Sequence, residues 1–180
     1  MTKTVLVLVD IQNDYFDGGT WTLPQMDAAA ANAARVLAHA RAEGLEIVHI
    51  QHQAAPGAPF LVAGTYGGEI NATVTPKDGE PVITKDRPNS FHNTGLDAHL
   101  RALGVTDIRL VGAMSNMCID ATARAGRDLG YNIEVIEDAC AAKPVIFGGQ
   151  DLSADQVHAA FMGALVGAYA AVRTVDDLGA

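Results

Sequence analysis

The chain has 180 residues, 49% of them hydrophobic, and 12 Lys+Arg against 21 Asp+Glu give a formal net charge of −9. That length suits one domain with a sizeable core, and the apolar share is too high for a disordered chain. An acidic balance argues against a nucleic-acid partner, for which a basic face supplies the affinity.

Two cysteines make no disulfide framework, so a reducing, cytoplasmic setting is expected. The N-terminal VLVLV run has the length of a strand. It is far short of the roughly 20 apolar residues of a membrane span. The Ala-rich stretch near 159–172 is broken by Gly and Tyr and followed by Arg173, so it is no span either, and no targeting segment is visible.

In chain order, TVLVLVD (4–10) is the first strand signal. A helical run over 27–43 follows, with Asp27 as the expected N-cap and Gly44 as the stop. LEIVHIQ (45–51) is the second strand. Residues 52–80, rich in Gly, Pro and Thr, hold at most a short helix, and a long irregular stretch inside a domain is often functional. PVIT (81–84) is followed by a helix over 95–103 after Thr94, then by DIRLVGA (107–113). The turn AMSN leads to a helix over 117–129, which Met117 and Cys118 open and Gly130 closes. NIEVIE (132–137) precedes a helix over 154–169. Ser153 and Gln156 form a capping-box pattern there, and Val157, Phe161, Ala164, Leu165 and Ala168 share one face. AAVRTV (170–175) is the last strand.

Near-continuous apolar strands alternating with helices imply an α/β fold. The expected architecture is a three-layer α/β/α, Rossmann-like domain over residues 1–180 with a mostly parallel sheet of about six strands. No internal repeat or linker divides it.

Ligands in such folds collect beyond the C-terminal ends of the strands. Asp10, Lys85 and Cys118 all fall there. A helix N-terminus and a nearby lysine would lower the thiol pKa and favour the reactive thiolate. A carboxylate could take the thiol proton and return it to a leaving amine, and free N–H groups of the turn could hold an oxyanion. Placement alone leaves the bland alternatives standing. Cys118 could be a small buried core residue, Asp10 a turn residue and Lys85 a solvated charge.

Three ordered motifs are more specific. VDIQNDYFDGG (9–19), TKDRPNSF (84–91) and GAMSNMCIDATARAGRDLGY (112–131), with DAC at 138–140, resemble the isochorismatase-like cysteine hydrolases, the superfamily of nicotinamidases and related amidases. The resemblance covers nearly the whole chain. It implies Cys118 as nucleophile, Asp10 as general acid/base and Lys85 as the charge that stabilises the thiolate and orients Asp10. It also implies a cis peptide at Ala113–Met114 and oxyanion donors at the N–H groups of Met114 and Cys118. The substrate would be a small amide, hydrolysed through a thioester with no cofactor, and the chain would form a dimer or larger homo-oligomer. The Ala/Gly-rich helix over 154–171 is the face expected to pack against a partner.

The sequence also departs from the family pattern. Ser115 stands where Thr is usual and keeps the hydroxyl. Metal-dependent nicotinamidases carry D-x-H after the second strand, whereas this chain reads HIQHQAAPGAPF (49–60), with the poor ligands Gln51 and Gln53 at the metal positions. No metal is therefore expected. If the strand persists, His49 and His52 point to opposite faces.

His52, beyond a strand end, is a pocket candidate or a partly exposed structural residue. His92 is a substrate-lining candidate, and His39, His99 and His158 are expected to be solvated. Tyr15, Phe16, Trp21 and Phe91 would wall the cavity, although aromatic residues are equally ordinary in a core. Asp138 reads as structural and Cys140 as buried. Three other functions compete with the amidase: a metal-dependent nicotinamidase-like enzyme, isochorismatase proper and a non-catalytic α/β binding protein. Isochorismatase hydrolyses a vinyl ether without a cysteine, which would leave Cys118 without a role.

Overall fold

The computed structural model describes residues 2–179. In chain order the strands are β1 (Thr4–Val9), β2 (Glu46–His52), β3 (Val82–Lys85), β4 (Asp107–Ala113), β5 (Asn132–Ala141), β6 (Val145–Phe147), β7 (Gln150–Leu152) and β8 (Ala171–Arg173). The α-helices are α1 (Met26–Ala42), α2 (Leu96–Ala102), α3 (Asp120–Asp128) and α4 (Ala154–Leu165). Six strands form one sheet in the order β3-β2-β1-β4-β5-β8, each neighbouring pair parallel.

Alternation along β1 divides the core. Leu6 and Leu8 pack with the Ala-rich face of α1, at Ala30, Ala33 and Leu37. Val5, Val7 and Val9 pack on the opposite side with Leu96, Leu100, Ile119, Ala123 and Leu165. Successive strand residues point to opposite faces, so a strand covered on both sides must be apolar throughout. The result is the expected three-layer α/β/α architecture.

Several expected boundaries move. α1 starts at Met26 behind Gln25, which sits at φ 63 without a side-chain cap. Asp27 lies inside the first turn, where its charge suits the helix dipole but does not cap. α2 starts after Gly95, while the Thr94 hydroxyl donates to Ser90 O at 2.6 Å. α4 keeps the Ser153–Gln156 capping box but stops at Leu165, so the helix expected over 154–169, or over 154–171 as a partner face, is shorter. The N–H groups of Tyr169 and Ala170 both return to Leu165 O, closing the chain around Gly167. The buried face of α4 is Val157, Met162 and Leu165; Phe161 is half-buried, Ala164 is exposed and Ala168 lies beyond the helix.

β5 runs on to Ala141, beyond the expected 132–137. Its register with β4 is interrupted: Leu110 pairs with Val135 but Gly112 with Cys140, so β5 carries three more residues than β4 across that interval. The antiparallel hairpin β6–β7 is an unanticipated element. Its turn is Gly148–Gly149, at φ 59 and 77, the pair of positive φ angles a two-residue hairpin turn demands. Residues 52–80 contain two 3₁₀ turns, Tyr66–Gly68 and Ala72–Val74. Among the described residues no helix is long and apolar enough to cross a membrane.

Candidate active site

Asp10 follows β1, Lys85 ends β3, and Cys118 lies on the turn after β4. Gly112 lets these ends converge. At φ 126 it lies so close to β1 that a Cβ there would overlap the Val9 carbonyl oxygen. The next peptide, Ala113–Met114, is cis. Ser115–Ile119 then forms a π-helical turn, and α3 begins only at Asp120. Cys118 is therefore not in the first turn of an α-helix, as the sequence suggests. It sits one residue before the α3 N-cap, where Asp120 already answers the positive end of the helix.

The three side chains meet out of water. Asp10, Lys85 and Cys118 are 0%, 4% and 6% exposed. Lys85 Nζ lies 2.7 Å from Asp10 Oδ2 and 3.2 Å from Cys118 Sγ, and it donates to Arg87 O at 3.0 Å. The contact with Asp10 is a close ion pair between two buried side chains. Asp10 itself adopts φ 52, a conformation that costs a non-glycine residue about 1 kcal/mol or more. Gln12 N–H donates to Asp10 O, helping to hold that turn.

The electrostatics differ from the expectation of a thiol lowered by its surroundings. Burial pushes the Cys118 thiol up, and the negative charge of Asp10 pushes it further; Lys85 opposes both but does not overcome them. Burial also pulls Lys85 down, yet Asp10 and Cys118 outweigh it and leave the lysine more firmly protonated than usual. The resting arrangement is thus a neutral thiol beside an Asp10–Lys85 ion pair.

The wall over the site is tied together by residues the sequence reading did not single out. Asp14 accepts from Leu61 N–H at 2.6 Å and from the Thr20 amide and hydroxyl at 3.0 and 2.9 Å. Burial raises its pKa but these three hydrogen bonds prevail and lower it. Gly67 passes so close that a Cβ would overlap the Asp14 carboxylate. Gln12 holds both backbone groups of His52, donating to its O and accepting from its N–H, and also donates to Gly68 O. Gln51 donates to the same Gly68 O at 2.8 Å, so its amide serves the loop, while Gln53 is exposed. Among the described residues no group of three or more His, Cys, Asp or Glu is placed to hold a metal ion.

The remaining candidates are scattered around this centre. Tyr15 is buried in the α1-side core, and burial first and then the charge of Asp10 push its phenol well up. Phe16 is buried in the α1-side core. Trp21 stacks on Phe60, ring centroids 4.7 Å apart, with Lys143 over its other face. His52 Nδ1 is 3.4 Å from Lys85 Nζ, and burial and then that cation lower its pKa. His92 is exposed and shares with Lys85 and Gln53 the lining of a cavity of about 260 Å³. Phe91 stacks on Tyr131 and faces Gly126 in the α2/α3-side core.

His49 is fully buried against Glu80, on the opposite strand face to His52. His158 is not simply solvated, because it bonds both Ser115 and Glu137. His39 pairs with Glu43 at 3.3 Å. Asp138 is structural, accepting from Val175 N–H, and Cys140 is a buried free thiol.

A parallel, two-side-covered sheet with a buried Asp–Lys–Cys cluster at its strand ends defines a doubly wound α/β protein whose site sets a thiol beside a buried ion pair. The chain belongs to the isochorismatase family: the Isochorismatase domain model matches residues 4–177. It is 44% identical over 174 residues to the uncharacterized isochorismatase family protein YddQ of Bacillus subtilis, covering 96% of this chain and 97% of that one. The crystal structure of a putative isochorismatase hydrolase from Oleispira antarctica superposes with TM-score 0.96 at 43% identity, over 98% of this chain and 96% of that one. The ureidoacrylate amidohydrolase RutB of Methylorubrum extorquens is 31% identical over 170 residues, covering 76% of this chain and 68% of RutB.

Proposed function

We propose that the protein is a cysteine-dependent amidohydrolase that cleaves a C–N bond in a small amide. The observation that carries this reading is the contact of Lys85 Nζ with both Asp10 and Cys118 Sγ in a site almost closed to water. RutB, named for the hydrolysis of an amide, supports the reaction class.

The chemistry follows from the resting charges. Asp10 takes the thiol proton as Sγ attacks the carbonyl carbon, because the neutral thiol is a weak nucleophile until a base activates it. Lys85 balances the negative charge that passes from Asp10 to sulfur during that transfer. The oxyanion forms at the N–H groups of Met114 and Cys118. When the tetrahedral species collapses, the C–N bond breaks and Asp10 returns the proton to the leaving nitrogen. Water then gives a proton to Asp10 and its oxygen to the thioester carbon. The C–S bond breaks and the thiol is restored.

Tyr15, Phe16, Trp21, His52, Phe91 and His92 are the pocket positions proposed from sequence; of these His52 has the most direct support, from its 3.4 Å approach to Lys85 Nζ. The reading is tested by ammonia release from a panel of carboxamides and ureides with wild type and Cys118→Ser. Turnover of at least one amide, abolished in a folded Cys118→Ser, is expected. A variant that keeps a large part of wild-type activity would overturn the reading.

A further inference from the structure

Ser115 begins the π-turn that carries Cys118 and is completely buried. Its hydroxyl lies 2.8 Å from His158 Nδ1, and His158 Nε2 lies 3.0 Å from Glu137 Oε2. A carboxylate only accepts, so Nε2 carries the proton shared with Glu137. On the neutral ring Nδ1 is then the acceptor, and the Ser115 hydroxyl donates to it. The three residues come from three elements: the nucleophile turn, α4 and β5.

β5 reaches this partner by its irregularity. Glu137 lies in the interval where β5 carries three more residues than β4. Extra residues of this kind re-aim side chains next to functional sites. Glu137 is turned to His158, while the neighbouring Asp138 is held on the other side by Val175 N–H and, through its carbonyl, by Asn32. The hydrogen bonds and ion pairs of Asp10, Lys85 and Cys118 run among themselves and to His52 and Arg87, apart from the line Glu137–His158–Ser115. It acts on the turn, not on the reacting atoms.

We infer that His158, oriented by Glu137, is a positioning residue that fixes the Cys118-bearing turn through the Ser115 hydroxyl. This rests on the proposed role of Cys118 as nucleophile. Cys118 follows Ser115 by three residues within the same turn, so a loosened Ser115 displaces the sulfur from Lys85 and from the attacked carbonyl. Displacements of about 1 Å in such a constellation cost on the order of 100-fold in rate.

The test compares Ser115→Ala, Ser115→Thr, His158→Ala and the Ser115→Ala/His158→Ala double variant by three readings: kcat and KM on an amide the wild type hydrolyses, the rate of Cys118 alkylation by iodoacetamide, and Tm. Ser115→Ala and His158→Ala are each expected to lower kcat about 10- to 100-fold at nearly unchanged KM, and to change the alkylation rate at least twofold. The double variant should be no worse than the worse single variant, and Ser115→Thr should recover most of the lost rate. A merely structural tie would lower Tm but leave kcat and alkylation alone. Wild-type kcat and alkylation in Ser115→Ala would overturn the inference. Should Ser115→Ala fail to fold, His158→Ala, on a partly exposed helix position, decides by the same criteria. Failure of the amidase reading looks different: the wild type turns over no amide, while alkylation still reports on the turn.

Discussion

Asp10→Asn is the substitution whose two effects pull apart most clearly. Asparagine keeps the shape and tolerates the left-handed φ of 52 that Asp10 occupies. The fold should therefore survive while one negative charge disappears. In the wild type the Lys85 ammonium stands 2.7 Å from Asp10 and 3.2 Å from Sγ, and the thiol is raised by burial and by Asp10. With Asp10 neutral, Lys85 acts on the sulfur unopposed. What the substitution removes is the repulsion between Asp10 and a thiolate, and a like charge this close disfavours the charged form by about one to three pKa units. A fall in thiol pKa of that size is therefore expected. A thiolate of lower pKa is also a weaker nucleophile, leaving a gain of about three- to fourfold in alkylation rate per unit. Asp10→Asn should thus alkylate at Cys118 about 3- to 50-fold faster than wild type at pH 7. Amide turnover should instead fall by about 10²- to 10⁴-fold, the usual contribution of a general acid/base. The assay is iodoacetamide incorporation at Cys118 across pH 6–10, read by mass, beside ammonia release. Slower or unchanged alkylation in Asp10→Asn would refute the claim that Asp10 holds the thiol neutral.

Gly67→Ala places a methyl group on the Asp14 carboxylate, so the loop joining Leu61, Gly68 and Gln51 must shift; KM should rise and Tm should fall by several degrees in thermal melts. Because Gln51 donates its amide to Gly68 O and Gln53 is exposed, activity should survive exhaustive chelation, and loss of activity restored by zinc, iron or manganese would contradict this. Glu80 is lowered from 4.5 to about 2, first by its hydrogen bonds with Arg41 and against the effect of burial. A carboxyl depressed on folding contributes stability above its unfolded value and loses it as the pH falls through the folded one. Glu80→Gln should therefore be less stable than wild type by about 1–3 kcal/mol at pH 7 in urea titrations, with the gap closing between pH 4.5 and about 2.

The positions of the strands were readable because burial on both faces leaves a plain signal: DIRLVGA matches β4 residue for residue. Asp10, Lys85 and Cys118 were readable together, since strand ends and ordered motifs converge on them. The π-turn at Ser115–Ile119 was not, because five residues are too few to show a period and the run continues into a genuine helix. The direction of the thiol shift escaped for a related reason: a sequence shows that a lysine is near but not that the sulfur is buried beside an opposing carboxylate. Asp14 and His158 owe their roles to partners far along the chain, Leu61 and Ser115 and Glu137, which local patterning does not pair. The β6–β7 hairpin did carry a signal, the Gly148–Gly149 pair flanked by VIF and QDL, which a search for two-residue turns finds.

The most direct test of the central claim is intact-protein mass spectrometry of enzyme quenched in acid within milliseconds of mixing with an amide it turns over. The account predicts a transient mass increase equal to the acyl group, located on Cys118 by peptide mapping, formed in step with a burst of the released amine or ammonia, and absent in Cys118→Ser. Turnover without any acyl adduct on Cys118, or an adduct on another residue, would contradict it.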